Sequence, residues 1–107
     1  MLIKCLTIQI LLELAPQFDR QTILDTLHAI GRFPEIDEDE DGKWIAFNLF
    51  TEDLHALWTE LGPVLEQPAM SPLMHAAGIV VCEGAGGWAD DRVLFHHDST
   101  VALDELP

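Results

Sequence analysis

The sequence predicts a single α+β domain over residues 1–107, and three observations lead to this prediction. The length falls within the usual range of one domain, roughly 50–200 residues. Hydrophobic residues make up 49% of the chain, as expected for a protein that folds around a core. Some segments alternate apolar and polar residues with the period of a strand, and others repeat apolar residues with the period of a helix. Such a mixture forms a sheet with helices packed on it.

The first predicted strand runs from Leu2 to Leu14, where the even positions are nearly all apolar and the odd positions are mixed. Pro16 ends this strand. Asp19 is a helix N-cap candidate, and Gly31 is expected to end the helix that follows it. The apolar stripe of this helix is predicted to consist of Ile23, Leu24, Leu27 and Ile30.

A β-hairpin and a second helix are predicted to follow. The pair Asp41-Gly42 is a two-residue turn signal, and residues 44–50 after it alternate as a strand does. Residues 51–53, Thr-Glu-Asp, are typical of a helix N-terminus, and residues 62–63, Gly-Pro, are expected to stop or kink that helix. Its buried stripe is predicted to consist of Leu54, Leu57, Trp58 and Leu61.

The last third of the chain completes the predicted fold. Residues 68–72 are expected to form a loop, residues 76–84 a buried strand and residues 92–97 a last strand after a turn. The order strand, helix, strand, strand, helix, strand is that of a ferredoxin-like, split β-α-β sandwich (βαββαβ), here with an extra C-terminal strand and two helices on one sheet face. In that layout the first and fourth strands are antiparallel neighbours, which predicts that Cys5 lies near Cys82.

The sheet face opposite the helices is predicted to be largely apolar. The residues expected on it are Ile3, Cys5, Leu11, Trp44, Phe50, Val80 and Cys82. An uncovered face of that extent exceeds the ~300–600 Å² patches found on most monomers. Two explanations stay open. Either residues 99–107 fold over the face or the strand register differs, or the face is a homodimer or protein-binding surface with Trp44 as its aromatic anchor.

The charge of the chain restricts the kinds of partner. The 19 acidic and 5 basic residues give a formal net charge of −14 and an isoelectric point near 4.3. Such a field repels nucleic acid and anionic membranes and attracts cationic ligands, so direct nucleic-acid binding is disfavoured and a basic protein partner is predicted. The alternatives are the general acidity of a proteome, including salt adaptation, and solubility alone.

Cysteine content and hydropathy indicate the compartment. Cys5 and Cys82 are too few for a disulfide framework, and neither has a CxxC partner. Residues 1–17 are apolar but lack the basic start and cleavage site of a signal peptide, and no other apolar run approaches the ~18 residues of a membrane span. A cytoplasmic location is therefore expected.

The segment from Glu35 to Asp41 contains six carboxylates in seven residues. Asp37, Asp39 and Asp41 match the first half of a D-x-D-x-D-G calcium loop, in which alternating carboxylates converge on one cation. The second half fails, because Asn48 stands where a bidentate glutamate is needed and a proline precedes the run. A solvated hairpin tip and a docking surface for a cationic partner are the other two interpretations.

Other candidate chemistry is weak. Residues 83–88 are glycine-rich but match neither G-x-G-x-x-G nor a lysine-bearing P-loop. His96 and His97 are adjacent, so on a strand they point to opposite faces and rarely bind one metal ion. Ser71 and Ser99 lack the context of a nucleophile, and the cysteines are expected to be inert strand residues. We therefore expect a non-enzymatic protein with no catalytic residue, metal site or cofactor.

Small size, strong acidity and the run "EIDEDED" together resemble the profile of bacterial immunity proteins, which inhibit toxin domains. The resemblance implies that the acidic segment neutralises a basic, nuclease-like toxin domain by occupying the place of its phosphates. The predicted partner-binding residues are Glu35, Asp37, Glu38, Asp39, Glu40, Asp41 and Trp44. The alternatives are a dimeric ferredoxin-like regulatory or sensor module, with calcium bound by the three aspartates, and a small enzyme.

Overall fold

The chain forms a five-stranded sheet and three α-helices within residues 2–106, the part that the computed structural model describes. Met1 and Pro107, the ends of the predicted domain, lie outside the described residues. The strands are β1 (Lys4–Leu11), β2 (Glu35–Glu38), β3 (Trp44–Thr51), β4 (Gly78–Gly84) and β5 (Gly87–His96). The helices are α1 (Arg20–His28), α2 (Leu54–Leu65) and α3 (Ser71–Ala77), and a 3₁₀ turn at Leu12–Leu14 follows β1. The predicted α+β class is confirmed.

β1 lies at the centre of the sheet, whose strand order is β2-β3-β1-β4-β5. It pairs antiparallel with β3 on one side and with β4 on the other, so the predicted pairing of the first strand with the Cys82 strand is confirmed. The plain βαββαβ order does not fully describe the chain, because α3 precedes β4 and β5 follows it.

The core lies between the helices and one face of the sheet. Neighbouring residues across paired strands share a face, so Ile8 and its partners Phe47 and Val80 all lie on the helix side, where each is fully buried. Burial of these side chains is the main favourable contribution to folding. The helix residues that close the core include Ile23, Leu27, Leu54, Leu57, Leu61, Met74 and Ala77.

The prediction that Val80 and Cys82 lie on the face opposite the helices is wrong. The apolar run at the start of β4 has no alternation that would reveal its faces, and its pairing with β1 sets them instead. Val80 opposes Ile8 and Cys82 opposes Leu6, which are both core residues. Cys5 therefore points to the other side of the sheet from Cys82, although their strands are neighbours, and both cysteines are free.

Capping residues set where the two predicted helices begin. The Asp19 carboxylate accepts a 3.1 Å hydrogen bond from the Gln21 backbone N–H at the start of α1, and the Asp53 carboxylate accepts one of 3.1 Å from Ala56 at the start of α2. Both predicted N-termini are confirmed. α2 continues through Pro63 and ends two residues later, at Leu65.

α3 corrects the prediction of a plain loop between the second helix and β4. Pro72 occupies the first turn of this seven-residue helix, where a missing backbone N–H costs nothing. Met74 and Ala77 of α3 are buried in the core, and Met70 just before it is also fully buried. Tertiary burial therefore stabilises a short helix that its two flanking prolines conceal in the sequence.

The C-terminal segment runs along the outer edge of β5. The Asp104 backbone N–H donates to the Val93 carbonyl (2.8 Å), and the Asp104 carboxylate accepts from the Val93 N–H (2.9 Å). This contact covers an edge strand that would otherwise expose its backbone. Ile3 and Phe50, on the face opposite the helices, remain 61% and 49% exposed. The alternative in which the tail covers this face is wrong for the part that β1 and β3 form.

Candidate protein-binding surface

The acidic hairpin lies at one edge of the sheet, where β2 is joined to β3 by residues 39–43. Asp39 organises this connection, because its backbone N–H donates to the Trp44 carbonyl (3.0 Å) and its carboxylate accepts from the Lys43 N–H (3.0 Å). The Gly42 N–H donates to the Asp39 carbonyl (3.0 Å), and Gly42 has a φ of 72°, which a glycine adopts without steric cost. The predicted two-residue turn at Asp41-Gly42 is thus a five-residue connection.

The seven predicted partner-binding residues do not form one cluster. Glu38 opposes the core residue Ile45, so it points to the helix side, where its carboxylate pairs with the Arg20 guanidinium. Asp39 is held in the connection, as described above. The exposed Glu40 and Asp41 lie at the tip of the hairpin. The structure brings together on the other face only Glu35, Asp37 and Trp44.

The sheet face opposite the helices, called the open face below, surrounds those three residues. The helices bury their apolar side chains on the other side of the sheet. The strand register and the alternation of side chains define the members of the open face. They are Ile3, Cys5, Thr7, Gln9, Leu11, Glu35, Asp37, Trp44, Ala46, Asn48, Phe50, Ile79, Val81, Glu83 and Val93.

A line of hydrogen-bonded side chains crosses three strands of the open face. The Thr7 hydroxyl donates to the Asn48 side-chain oxygen (2.6 Å), and the Asn48 amide donates to the Asp37 carboxylate (2.9 Å). The Cys5 sulfur lies 3.7 Å from the Thr7 hydroxyl oxygen. The line leaves one Asp37 oxygen bonded to Asn48 and fixes the direction in which the carboxylate points.

Sequence reasoning missed Thr7 and Asn48 as members of the surface. Asn48 enters the sequence analysis only as the residue that spoils a calcium loop. The available signal is that both residues interrupt strands that are otherwise apolar. Their pairing across β1 and β3 could not be found without the register, which opposes Thr7 to Asn48.

Three carboxylates make the open face electrostatically negative around Cys5. Burial is the largest cause of the raised pKa of the Cys5 thiol, and Glu83, Glu35 and Asp37 raise it further against the opposing hydrogen bond with Thr7. On the helix side, burial also raises the pKa of Cys82. Both thiols are thus kept protonated and unreactive at neutral pH, as expected for strand cysteines.

An apolar rim lies at one end of the open face. Ile3 and Phe50 are among the more exposed large hydrophobic residues of the chain. A shallow cavity of about 460 Å³ lies beside them, with Glu52 and Asp53 also in its lining. The open face thus combines exposed apolar side chains, a polar centre and carboxylates at its margins, which is the composition of a protein-binding surface.

The aspartates of the partial calcium loop do not converge. Asp37 bonds to Asn48 on the open face, Asp39 holds the hairpin connection and Asp41 lies at the tip. Within residues 2–106, no group of three or more metal-ligating side chains is placed to hold an ion. The hairpin therefore has no preformed calcium geometry in that range.

The two adjacent histidines are arranged as a stacked pair. Their ring centroids lie 4.5 Å apart, and Nδ1 of His96 accepts a hydrogen bond from the Asp98 N–H (3.0 Å). Hydrogen bonds from the Thr100 hydroxyl and backbone lower the pKa of Asp98. These contacts shape the turn after β5.

Comparison with models of known protein families, with curated protein sequences and with solved structures gives no match. Within residues 2–106, no helix has both the length and the apolar composition that crossing a bilayer requires. The argument for function therefore depends on the surface chemistry of the chain.

Proposed function

We propose that this chain is a non-enzymatic acidic binding protein that neutralises a basic protein partner, as immunity proteins do with nuclease-like toxin domains. The observation that carries the proposal is the unbalanced charge of the hairpin. The three arginines of the chain pair with Glu38, Glu60 and Asp90. Within residues 2–106 the ion pairs of the hairpin are thus limited to Glu38, and its other carboxylates lie near the exposed surface.

We also propose that the fold is a ferredoxin-like, split β-α-β sandwich extended at one edge by β5. The support is the antiparallel order β2-β3-β1-β4, in which the strand after the first helix forms an edge and β1 separates β3 from β4. In this layout the helices occupy one face, and the other face is available to a partner.

Electrostatic steering gives the proposal its physical basis. A chain with a net charge of −14 attracts a basic protein over long distances, and this attraction accelerates association by roughly 10- to 1000-fold at low salt. The hairpin presents carboxylates where a nuclease binds phosphates. The bound partner would then be blocked by charge complementarity without any chemical step.

The experiment measures association with purified basic nuclease domains and inhibition of their activity. We expect inhibition, with an association rate that falls about tenfold or more between 50 and 200 mM salt. The hairpin variant Asp37→Asn/Glu40→Gln/Asp41→Asn should lose most of that rate. The matched control, Glu13→Gln/Glu66→Gln/Glu105→Gln, removes the same charge from exposed positions elsewhere and should keep it.

Two outcomes would contradict the proposal. Equal association of the hairpin variant and the control variant would show that net charge alone attracts the partner. Absence of inhibition across the nuclease domains would remove the inhibitor function. Both variants leave Glu38 and Asp39 intact, because these residues hold Arg20 and the hairpin connection.

A dimeric regulatory module is the second candidate, and the exposed apolar rim of the open face is the observation that favours it. Sedimentation of the chain across the micromolar range tests it. A dimer that dissociates when Ile3 and Phe50 are replaced by serine would support this candidate over a protein that binds a different partner.

A further inference from the structure

We infer that the partner docks on the open face, with Asp37 and the apolar rim at Ile3 and Phe50 as its main contacts, and that the hairpin tip contributes mainly to attraction at a distance. This inference rests on the proposed function and names its surface. The occupant is a basic protein segment in which an arginine or lysine is flanked by apolar side chains.

The fixed position of Asp37 is the first argument. Its carboxylate is held by the Asn48 amide, which is held in turn by the Thr7 hydroxyl. A partner that pairs with Asp37 therefore meets a carboxylate that is already oriented, and less conformational entropy is lost on binding. Glu40 and Asp41 lie in the exposed turn between the strands, where an ion pair must order both side chains.

The mixture of charge and apolar area is the second argument. Ile3 and Phe50 are 61% and 49% exposed on the same face as Glu35, Asp37 and Glu83. Interfaces place apolar side chains at their centre and charged groups at their rim. A flat charged tip offers no such centre.

Charge complementarity selects a basic segment over a second copy of the chain. A symmetric dimer through the open face would bring the Glu35, Asp37 and Glu83 carboxylates of both copies into one desolvated interface. Like charges brought together this way are strongly unfavourable. A basic segment pairs with the same carboxylates and still buries the apolar rim.

The test uses two synthetic 12-residue peptides of equal positive charge. One alternates arginine with leucine, and the other alternates arginine with serine. We expect the leucine peptide to bind at least about tenfold more tightly than the serine peptide at 150 mM salt. In the NMR spectrum it should shift the backbone amides of the open face, including Thr7 and Asn48, more than those of α2 and α3.

Two single substitutions within one hairpin form the decisive pair. Asp37→Asn keeps an oxygen for Asn48 and should weaken binding of the leucine peptide about tenfold. Asp41→Asn removes the same charge from the tip and should weaken it less than about twofold. Urea unfolding of both variants checks that the fold is intact.

A matched pair of double variants tests the apolar rim. Ile3→Ser/Phe50→Ser should remove the preference for the leucine peptide. Leu14→Ser/Leu103→Ser replaces two apolar residues of similar exposure, 49% and 56%, away from the open face and should keep it.

The outcomes separate this inference from the function on which it rests. If the peptides bind and Asp41→Asn weakens binding more than Asp37→Asn, the inference is wrong and the acidic binding function stands. Equal binding of the two peptides by the unsubstituted chain also overturns the inference. If neither peptide binds at 50 mM salt, the proposed function fails together with the inference. Sedimentation distinguishes a chain whose open face is occupied by a second copy.

Discussion

The two faces of one sheet differ in what they do, and β3 shows the difference within a single strand. Ile45, Phe47 and Leu49 point to the helices and are almost completely buried, whereas Asn48 and Phe50 point away and keep part of their surface exposed. The covered face is shaped by packing, so its residues are determined by the fold. The open face carries polar bonds and exposed apolar groups that packing does not require, and these are available to a partner.

The largest expected effect compares two phenylalanines on opposite faces of β3. Phe47→Ala leaves a cavity in the core and should lower the free energy of unfolding by about 3–5 kcal/mol. Phe50→Ala removes a side chain that is already 49% exposed and should cost about 1 kcal/mol or less. Urea unfolding monitored by circular dichroism measures both values. Equal losses would mean that the open face is covered in solution.

The strands and capped helices that the sequence predicts correctly are those with an unambiguous local pattern. β3 alternates along its whole length, and Asp19 and Asp53 each precede an apolar helical stripe. The faces of β4 could not be predicted, because an apolar run has no period and only pairing with β1 assigns Cys82 to the core.

The candidate site was predicted in part for the same reason. The sequence indicates an acidic segment beside Trp44, but the side that each carboxylate occupies depends on the strand register. Glu38 turned to the helix side and Asp37 to the open face once β2 paired with β3. The Thr7–Asn48–Asp37 line is formed by residues from three strands, so no local pattern reveals it.

The two cysteines provide a chemical comparison of the faces. Cys82 lies under the helices, so its thiol meets a reagent only when the protein opens extensively, whereas Cys5 lies in the open face and needs a smaller fluctuation. Iodoacetamide should modify Cys5 at least about tenfold faster than Cys82, as measured by mass spectrometry of the two peptides. Equal rates would indicate that global unfolding limits both reactions.

Stability at alkaline pH follows from the direction of the thiol pKa shifts. The fold raises the pKa of both Cys5 and Cys82, so the unfolded chain loses these protons at a lower pH than the folded chain. The associated stabilisation is complete at neutral pH and is lost as the pH rises from about 8.5 through the raised values. Urea unfolding at pH 7 and pH 10 should show this loss, and a Cys5→Ala variant should show less of it. An equal loss in that variant would assign the effect to other groups.

The polar line of the open face is expected to contribute about 1 kcal/mol. Asn48→Ala removes the group that accepts from Thr7 and donates to Asp37, and each neutral hydrogen bond contributes roughly 0.5–1.5 kcal/mol. Thr7→Val removes one of the same bonds, so the double variant should lose less stability than the sum of the single losses. Gln9→Ala, on the same face of β1, is the control for strand propensity. Additive losses would contradict a connected line.

The smallest effect compares Glu38 and Asp41, which are three residues apart in the hairpin and should respond with opposite signs. Glu38→Gln removes the ion pair with Arg20, and because both side chains are about half exposed, the loss should be roughly 0.2–1 kcal/mol. Asp41→Asn instead reduces repulsion within the exposed acidic tip, so it should raise the free energy of unfolding by a few tenths of a kcal/mol, approximately the cost of one close like pair. Urea unfolding at low salt measures both changes, and 1 M salt should shrink both, because screening weakens attraction and repulsion alike. A loss of stability in Asp41→Asn that persists in 1 M salt would mean that this carboxylate holds the connection as Asp39 does, and the division between a structural and an available set of carboxylates would have to be redrawn.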